Sequence, residues 1–554
     1  MTRLPEAAEL RAPFDGREFR FKEDVARFER RDGIPHMRVV STRDGEHLYR
    51  VTRVIGGRYR EDFAGVEVPV AGRAAAVAAP APAPAPAPAG VRQSELILPV
   101  SFVLGDASFR VKGYSVLVRE RPGLRAGGVW NETCIFCHNT VPYLDDLLGA
   151  LHGPGAPGYQ GEVVDRALPD RRRLDYRIVD AAGLVDAVRE ELAALGAGEG
   201  TVRRAAAEGD VRVTLRRAIV EARSRFAPAH FIEMGVGCEA CHGGGREHVD
   251  DPRRLPSFEP RAPFLRATAA AGPAPSRAEW QNRACARCHQ VLFSRYPYTW
   301  EGGLRRAPAQ AGGSNITSGE ARDFLLGGCA RAMACSACHD PHGEDRSDAL
   351  ARLATPAGNG VCTGCHRELA APAAVRAHAH HDPAGAGGSC VACHMPKKNM
   401  GLGYTLTRYH RIGSPTDPAR VERDRPIECA LCHTDRTVEA LLDDIRRLWG
   451  RRYDAAAIRR LYPRPQANAL LATIQDGLPH EQAAAIGAAG AARFGAAAEA
   501  IAGELGNPYP LVRYYARAAV EAITGRPCAV DPNAPARAGA PPPGMTTDPG
   551  GDED

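Results

Sequence analysis

Fourteen of the sixteen cysteines in this 554-residue chain fall into pairs of one spacing, and a histidine follows each pair directly. The seven sets are Cys134, Cys137, His138; Cys238, Cys241, His242; Cys285, Cys288, His289; Cys335, Cys338, His339; Cys362, Cys365, His366; Cys390, Cys393, His394; and Cys429, Cys432, His433. Two thiols one helical turn apart can form thioethers with the two vinyl groups of one porphyrin. The adjacent imidazole then reaches the iron as its proximal ligand, which is the attachment signature of c-type haem. Zinc ribbons and redox-active CxxC pairs are the competing readings. A zinc site needs such pairs in twos, and seven is odd. With 18 histidines in 554 residues, one pair followed by histidine could be chance, but seven of seven could not. The expected cofactors are therefore seven covalently attached haem c groups.

Eleven histidines remain as candidates for the opposite face of each iron. His342 lies three residues after His339 with Pro341 between them. Three residues span at most about 11 Å, and proline stiffens the path, so His342 cannot go round the porphyrin to its own haem's far side. As a ligand it would bind a neighbouring haem. His248, six residues after His242 through three glycines, is a similar candidate on a looser tether. His410 lies between the sixth and seventh motifs, and His230 shortly precedes the second. From the cluster His378, His380 and His381 one ligand is expected, with His380 or His381 favoured over His378. The competing fate of each is a solvated or hydrogen-bonded imidazole. His36, His47, His152 and His480 read as structural or surface residues, Met395 as packing, Cys329 as a buried thiol and Cys528 as incidental.

Residues 335–433 hold four motifs, too little chain for four separate haem-burying domains. The porphyrins must pack on one another and supply much of the core, which makes an electron conduit. The 71 basic and 66 acidic side chains leave only +5, too little to argue for nucleic acid or an anionic membrane. Ferric haem with both propionates ionised adds about −1 each. The loaded molecule is then roughly −2, and roughly −9 when fully reduced. No run of about 18 apolar residues occurs, so no helix of this chain is expected to span a bilayer.

The elements that must position these groups read as follows. Residues 1–125 lack the motif, and alternating apolar patterns at His47–Ile55, Leu96–Leu104 and Tyr114–Val118 predict strands. Residues 74–90 are almost wholly alanine and proline, an extended linker without chemistry. Residues 126–435 form the haem-bearing part, mainly α with little regular structure, interrupted at about 150–228 by a helical insertion with helices at Leu184–Leu195 and Val213–Arg223. Residues 436–528 read as helical, beginning with Val438–Trp449, and the stretch Asn507–Ala516 resembles the second helix of a HEAT repeat. Only about two such units fit, enough for a cap or docking surface. Residues 529–554 have a disordered composition.

Several stretches together resemble exported bacterial multihaem cytochromes of the cytochrome c-554-like type, often fused to HEAT or tetratricopeptide repeats. They are Val129–Cys134, Gly237–Gly243, Cys335–His342, Cys390–Pro396, and the N-terminal Phe14–Gly16 with Ala26–Gly33. The resemblance covers about four fifths of the chain. It implies distal-ligand roles for a histidine after the second motif, supporting His248, and for the second histidine of the Cys-His-Asp-Pro-His run, supporting His342. It also implies a periplasmic or cell-envelope location, since covalent haem attachment takes place outside the cytoplasmic membrane. In that family the β-rich segment follows a signal peptide and one further motif. Met1–Phe19 is polar and has no apolar core, so an upstream extension carrying both is expected.

Two functions compete. One is an electron relay between redox proteins, such as quinol-linked membrane cytochromes and periplasmic or outer-membrane cytochromes. The other is a reductase of nitrite, hydroxylamine or a sulfur oxyanion with one five-coordinate haem, the first motif being the leading candidate for that haem. Some multihaem nitrite reductases mark the catalytic haem with a proximal lysine, whereas all seven motifs here end in histidine. A purely structural scaffold is disfavoured because nothing structural needs seven haems.

Overall fold

The computed structural model describes residues 2–5, 9–70, 94–113, 117, 120–130, 135–141, 174–200, 213–214, 217–218, 221–222, 225, 231–259, 262–269, 273–289, 298–299, 303–304, 319–343, 347–401 and 403–534. The chain forms two compact units. One comprises residues 1–113, 122–292 and 320–335, the other 114–121, 293–319 and 336–554.

The first unit is built on an antiparallel sheet of ten strands: β1 Thr2–Arg3, β2 Glu18–Phe21, β3 Asp24–Arg31, β4 Ile34–Ser41, β5 Gly45–Gly56, β6 Arg60–Val68, β7 Leu96–Ile97, β8 Val100–Val103, β9 Ser108–Val111 and β10 Gly127–Val129. The main path runs β10-β7-β6-β5-β4-β3-β2, with β1 on β5 and β8 joining β6 to β9. Period-two burial sets the register. In β3, Asp24, Ala26 and Phe28 face inward, and Phe28 pairs with Met37 of β4. The β3–β4 turn is Asp32-Gly33 with both residues at positive φ, the geometry that matches the twist of a two-residue hairpin. Phe14 meets Phe28 and Phe63 edge-on at 5.5 and 5.4 Å, and Phe28 stacks on Phe109 at 3.8 Å.

The sheet is larger than the three alternating patterns of the sequence foretell. The solvent faces of β2, β3 and β4 carry arginine and glutamate paired across the ladder, Arg27 to Glu18 at 2.9 Å and Arg38 to Glu29 at 3.1 Å. Those charges dilute the apolar signal. Pro99, which lacks an N–H, splits the expected strand Leu96–Leu104 into β7 and β8. Apart from Leu117, the expected strand Tyr114–Val118 lies outside the described residues, as do the Ala/Pro run from residue 74 to 90 and much of Val213–Arg223.

The helix Ala181–Ala194 buries Leu184, Val188 and Leu192 in a cluster with Ile55, Ala64 and Ile97 of the sheet and with Trp130 and Phe231. Trp130 meets Phe231 edge-on at 5.8 Å. This cluster anchors the chain four residues ahead of the first motif.

The second unit carries short helical turns around the later motifs and a helical C-terminal part: Val438–Trp449, Ala455–Leu461, Ala469–Asp476, Pro479–Ala491 and Pro510–Thr524. The last two lie so close that a Cβ on Gly490 would stand 2.8 Å from the Ala519 Cβ. Among the described residues, no helix is long and apolar enough to cross a membrane.

Candidate haem sites

The second to seventh motifs are each locally a single turn. The histidine N–H donates to the carbonyl of the first cysteine at 2.9 Å in the second, third and seventh motifs and at 3.0 Å in the fifth. The turn brings both thiols and the imidazole to one side, as attachment to one porphyrin requires. No disulfide joins any described cysteine. Cys134 lies outside the described residues.

In the first unit the opening motifs are cross-tied. Cys137 Sγ lies 3.9 Å from the Arg287 carbonyl, and the Arg287 guanidinium donates to the Ala240 carbonyl at 2.9 Å, so the third motif grips the first and second. Thr140, two residues after His138, accepts from the Gly237 N–H at 2.8 Å and donates to the Gly235 carbonyl at 2.9 Å. A Cβ on Gly237 would stand 2.0 Å from a Glu233 carboxylate oxygen, so a larger residue before Cys238 would require the Glu233 side chain to move. His242 packs against Phe258 at 4.5 Å.

Burial pushes His138 down to about 4, which keeps its nitrogen lone pair available to a metal. His289 shifts the other way, because the Glu320 carboxylate stands 3.7 Å from Nδ1. A carboxylate there makes the opposite nitrogen a stronger donor. Glu320 escapes a motif-based reading, since it lies 31 residues beyond His289.

The second unit pairs motif histidines with histidines outside the motifs. Ring centroids are 6.3 Å apart for His339 and His410, 6.0 Å for His394 and His378, and 5.9 Å for His433 and His381. The first two pairs are close to parallel, at 23° and 12°. An iron bonded to two imidazoles, at roughly 2 Å from each ligating nitrogen, holds their centroids roughly 6 Å apart. The donor set and its spacing therefore fit bis-histidine haem. Nδ1 of His394, His410 and His381 lies 3.0, 3.0 and 2.6 Å from the carbonyls of Gly413, Arg408 and Ala379. With Nδ1 so held, Nε2 is the nitrogen that would ligate. Burial lowers the pKa of His394, with the Gly413 hydrogen bond opposing.

Within the trio at 378–381, two histidines face motif histidines. The helix Pro372–Ala379 ends where His380 adopts a left-handed conformation at φ 55°. That reversal sends His378 and His381 to two different motif histidines and leaves His380 edge-on to Trp449 at 5.0 Å. Trp449 in turn donates to the His378 carbonyl at 3.0 Å. Of the other predicted ligands, His248 stands on the short helix Arg246–Asp250 and His342 in a turn. The His342 N–H donates to Asp340 at 3.0 Å, and His248 Nδ1 lies 2.8 Å from the Arg254 carbonyl. His230 lies outside the described residues.

Among the described residues, one further group has metal-ligand spacing: the buried Asp424, His480 and Glu481. Lys398 is bonded to Asp424, and Arg425 to Glu481 at 2.9 Å, so both carboxylates already hold cations. Burial holds the His480 pKa below the ordinary value for histidine. A histidine depressed in the folded state contributes stability above its unfolded pKa of about 6.5 and loses it as pH falls. The melting temperature is therefore expected to drop between about pH 7 and 5, and to drop less in His480→Gln. An identical pH slope in the variant would remove His480 from this role.

Two protein families match the chain over the later motifs. The doubled CXXCH motif family matches residues 328–371, and the family described as cytochrome c7 and related cytochrome c matches residues 351–434. Searches of curated proteins and of solved structures find no match. Motif turns, imidazole pairs and family matches converge: the chain contains a multihaem c-type cytochrome region of the doubled-CXXCH, cytochrome c7-like kind.

Proposed function

We propose that the chain carries seven haems and relays electrons between redox proteins outside the cytoplasmic membrane. The fourteen motif cysteines form the thioethers, and His138, His242, His289, His339, His366, His394 and His433 are the proximal ligands. His410, His378 and His381 are the distal ligands of the fourth, sixth and seventh haems. The observation that carries this reading is the set of three imidazole pairs at 5.9–6.3 Å. A haem held between two such histidines would supply one-electron exchange and would offer a substrate no place to bind. His248 and His342 are proposed for irons whose second ligand lies elsewhere, supported for His248 by the carbonyl on its Nδ1. The partners are other cytochromes, and the C-terminal helices, read as HEAT-like, provide a docking surface beside the haems.

Intact-mass measurement of the matured protein, followed by low-temperature EPR of its ferric form, tests the proposal. The expected result is seven haems, all low-spin. A high-spin ferric signal that shifts with nitrite or hydroxylamine would overturn the relay in favour of a reductase. Fewer than seven haems would overturn the haem count.

A further inference from the structure

Two asparagines hold successive motifs together in the same way. Asn282, fully buried in the helix Arg277–Ala286, stands three residues before Cys285. Its Oδ1 accepts the Cys335 N–H at 2.8 Å, and its Nδ2 donates to the carbonyls of Met333 and Ala330, both at 2.9 Å. Asn359 stands three residues before Cys362. Its Oδ1 accepts the Cys390 N–H at 2.9 Å, and its Nδ2 donates to the Gly388 carbonyl at 2.8 Å. The offsets coincide. Met333 and Gly388 each lie two residues before the cysteine whose N–H is held. In each case the side-chain amide takes one acceptor and one donor from the strand entering the next motif, as a paired backbone segment would.

The cysteine sulfurs of the joined motifs are neighbours too: Cys285 with Cys335, and Cys362 with Cys390, lie within hydrogen-bonding reach. The sequence carries the same alternation. Asparagine stands three residues ahead of the first, third and fifth motifs (Asn131, Asn282, Asn359), while Gly235, Ala332, Gly387 and Pro426 stand ahead of the others.

We infer that Asn282 and Asn359 are positioning residues that lock the haems of the third and fourth motifs, and of the fifth and sixth, into two close pairs of fixed register. The inference rests on haem attachment at all four motifs, and it divides the matched region differently from a simple succession of motifs. The fourth and fifth motifs, adjacent in sequence, belong to different pairs. A first cysteine held only by its own turn could swing its porphyrin edge. Held by the preceding motif's asparagine, it takes its position from the neighbouring haem's own attachment site.

Two haems in fixed close contact give a two-signed Soret circular dichroism couplet, which serves as the readout. Asn282→Ala and Asn359→Ala are each expected to keep the wild-type haem count by intact mass and to lose part of the couplet. The double variant should lose more than either. Asn507→Ala is the control, because Asn507 is a buried asparagine that caps Tyr509 and bonds Gln482 away from any motif. That variant should melt earlier yet keep the full couplet. An unchanged couplet in the haem-complete alanine variants overturns the inference, as does a haem-complete wild type without a couplet. A wild type lacking haems at these motifs instead overturns the functional proposal. Should the alanine variants not accumulate, Asn→Asp at the same positions keeps the acceptor and loses the amide donor. It should weaken the couplet less, and no change there also overturns the clamp.

Discussion

Replacing His410 by methionine is expected to raise the midpoint potential of one haem by on the order of 0.2 V while leaving the others in place. Thioether sulfur is a weaker donor to ferric iron than imidazole, so the exchange favours the reduced state. Axial ligand identity is the strongest single control a protein has over haem potential. His410 faces His339 at 6.3 Å, and its Nδ1 is held by the Arg408 carbonyl, so the ring is aimed before iron is bound. His410→Ala should give a different signature: one high-spin ferric signal in place of one low-spin signal, with the haem still attached through Cys335 and Cys338. The same pair of substitutions at His378 and His381 should act on two further haems, whereas His380→Ala should leave every potential near its starting value. Spectroelectrochemical titration of the variants against the wild type measures all of this. A potential shift in His380→Ala, with none in His378→Ala, would reverse the assignment within the trio.

The attachment chemistry was legible in the sequence because it is local. Two cysteines and a histidine within one turn need no tertiary information, and their spacing states the chemistry. The distal ligands are not local. His410 was recognisable as a candidate only because it stands near motifs, and nothing in the run of residues 378–381 foretells a left-handed His380. That one backbone conformation gives His378 and His381 separate motif histidines to face, where the sequence suggested one ligand among the three. The groups that hold the imidazoles were hidden for the same reason: Glu320 reaches His289, and the Gly413 carbonyl reaches His394, only through the fold. The sheet was half-legible. Strand β5 alternates over Tyr49–Thr52 before its register shifts between Val51 and Arg53, and β2 to β4 mix charged pairs into their exposed faces, so their buried residues form no conspicuous run. The asparagines ahead of the first, third and fifth motifs were present in the sequence throughout. They acquire meaning only once Asn282 and Asn359 are seen holding the next motif's backbone.

Asp424→Asn is expected to destabilise the second unit by about 3–5 kcal/mol, because it strands a cation inside the protein. Lys398 and Asp424 are both buried and bonded to one another, and the Lys398 ammonium also donates to the Pro426 carbonyl at 3.0 Å. Desolvating an ammonium costs several kcal/mol, and only a paired carboxylate with good geometry offsets it. A neutral amide leaves most of that cost standing. Replacing both partners by apolar residues, Lys398→Met with Asp424→Leu, removes the cost along with the pair and should come out near neutral or more stable. Calorimetric melting of Lys398→Met, Asp424→Leu and their double variant closes the cycle. Single losses that simply add in the double variant would show that the pair is not coupled. The position of this pair ties its stability to the haem sites. Lys398 lies on the strand Lys397–Met400, directly after the sixth motif, and Asp424 to Pro426 lead into the seventh. Arg425, next to Asp424, is bonded at 2.9 Å to Glu481 of the helix Pro479–Ala491. A buried chain of charges thus joins the exit of one motif, the entry of the next and the C-terminal helices. The single variant should therefore loosen the imidazole pairs His394–His378 and His433–His381 at temperatures where the double variant still holds them, giving thermally induced high-spin character at two haems and not at the His339–His410 site.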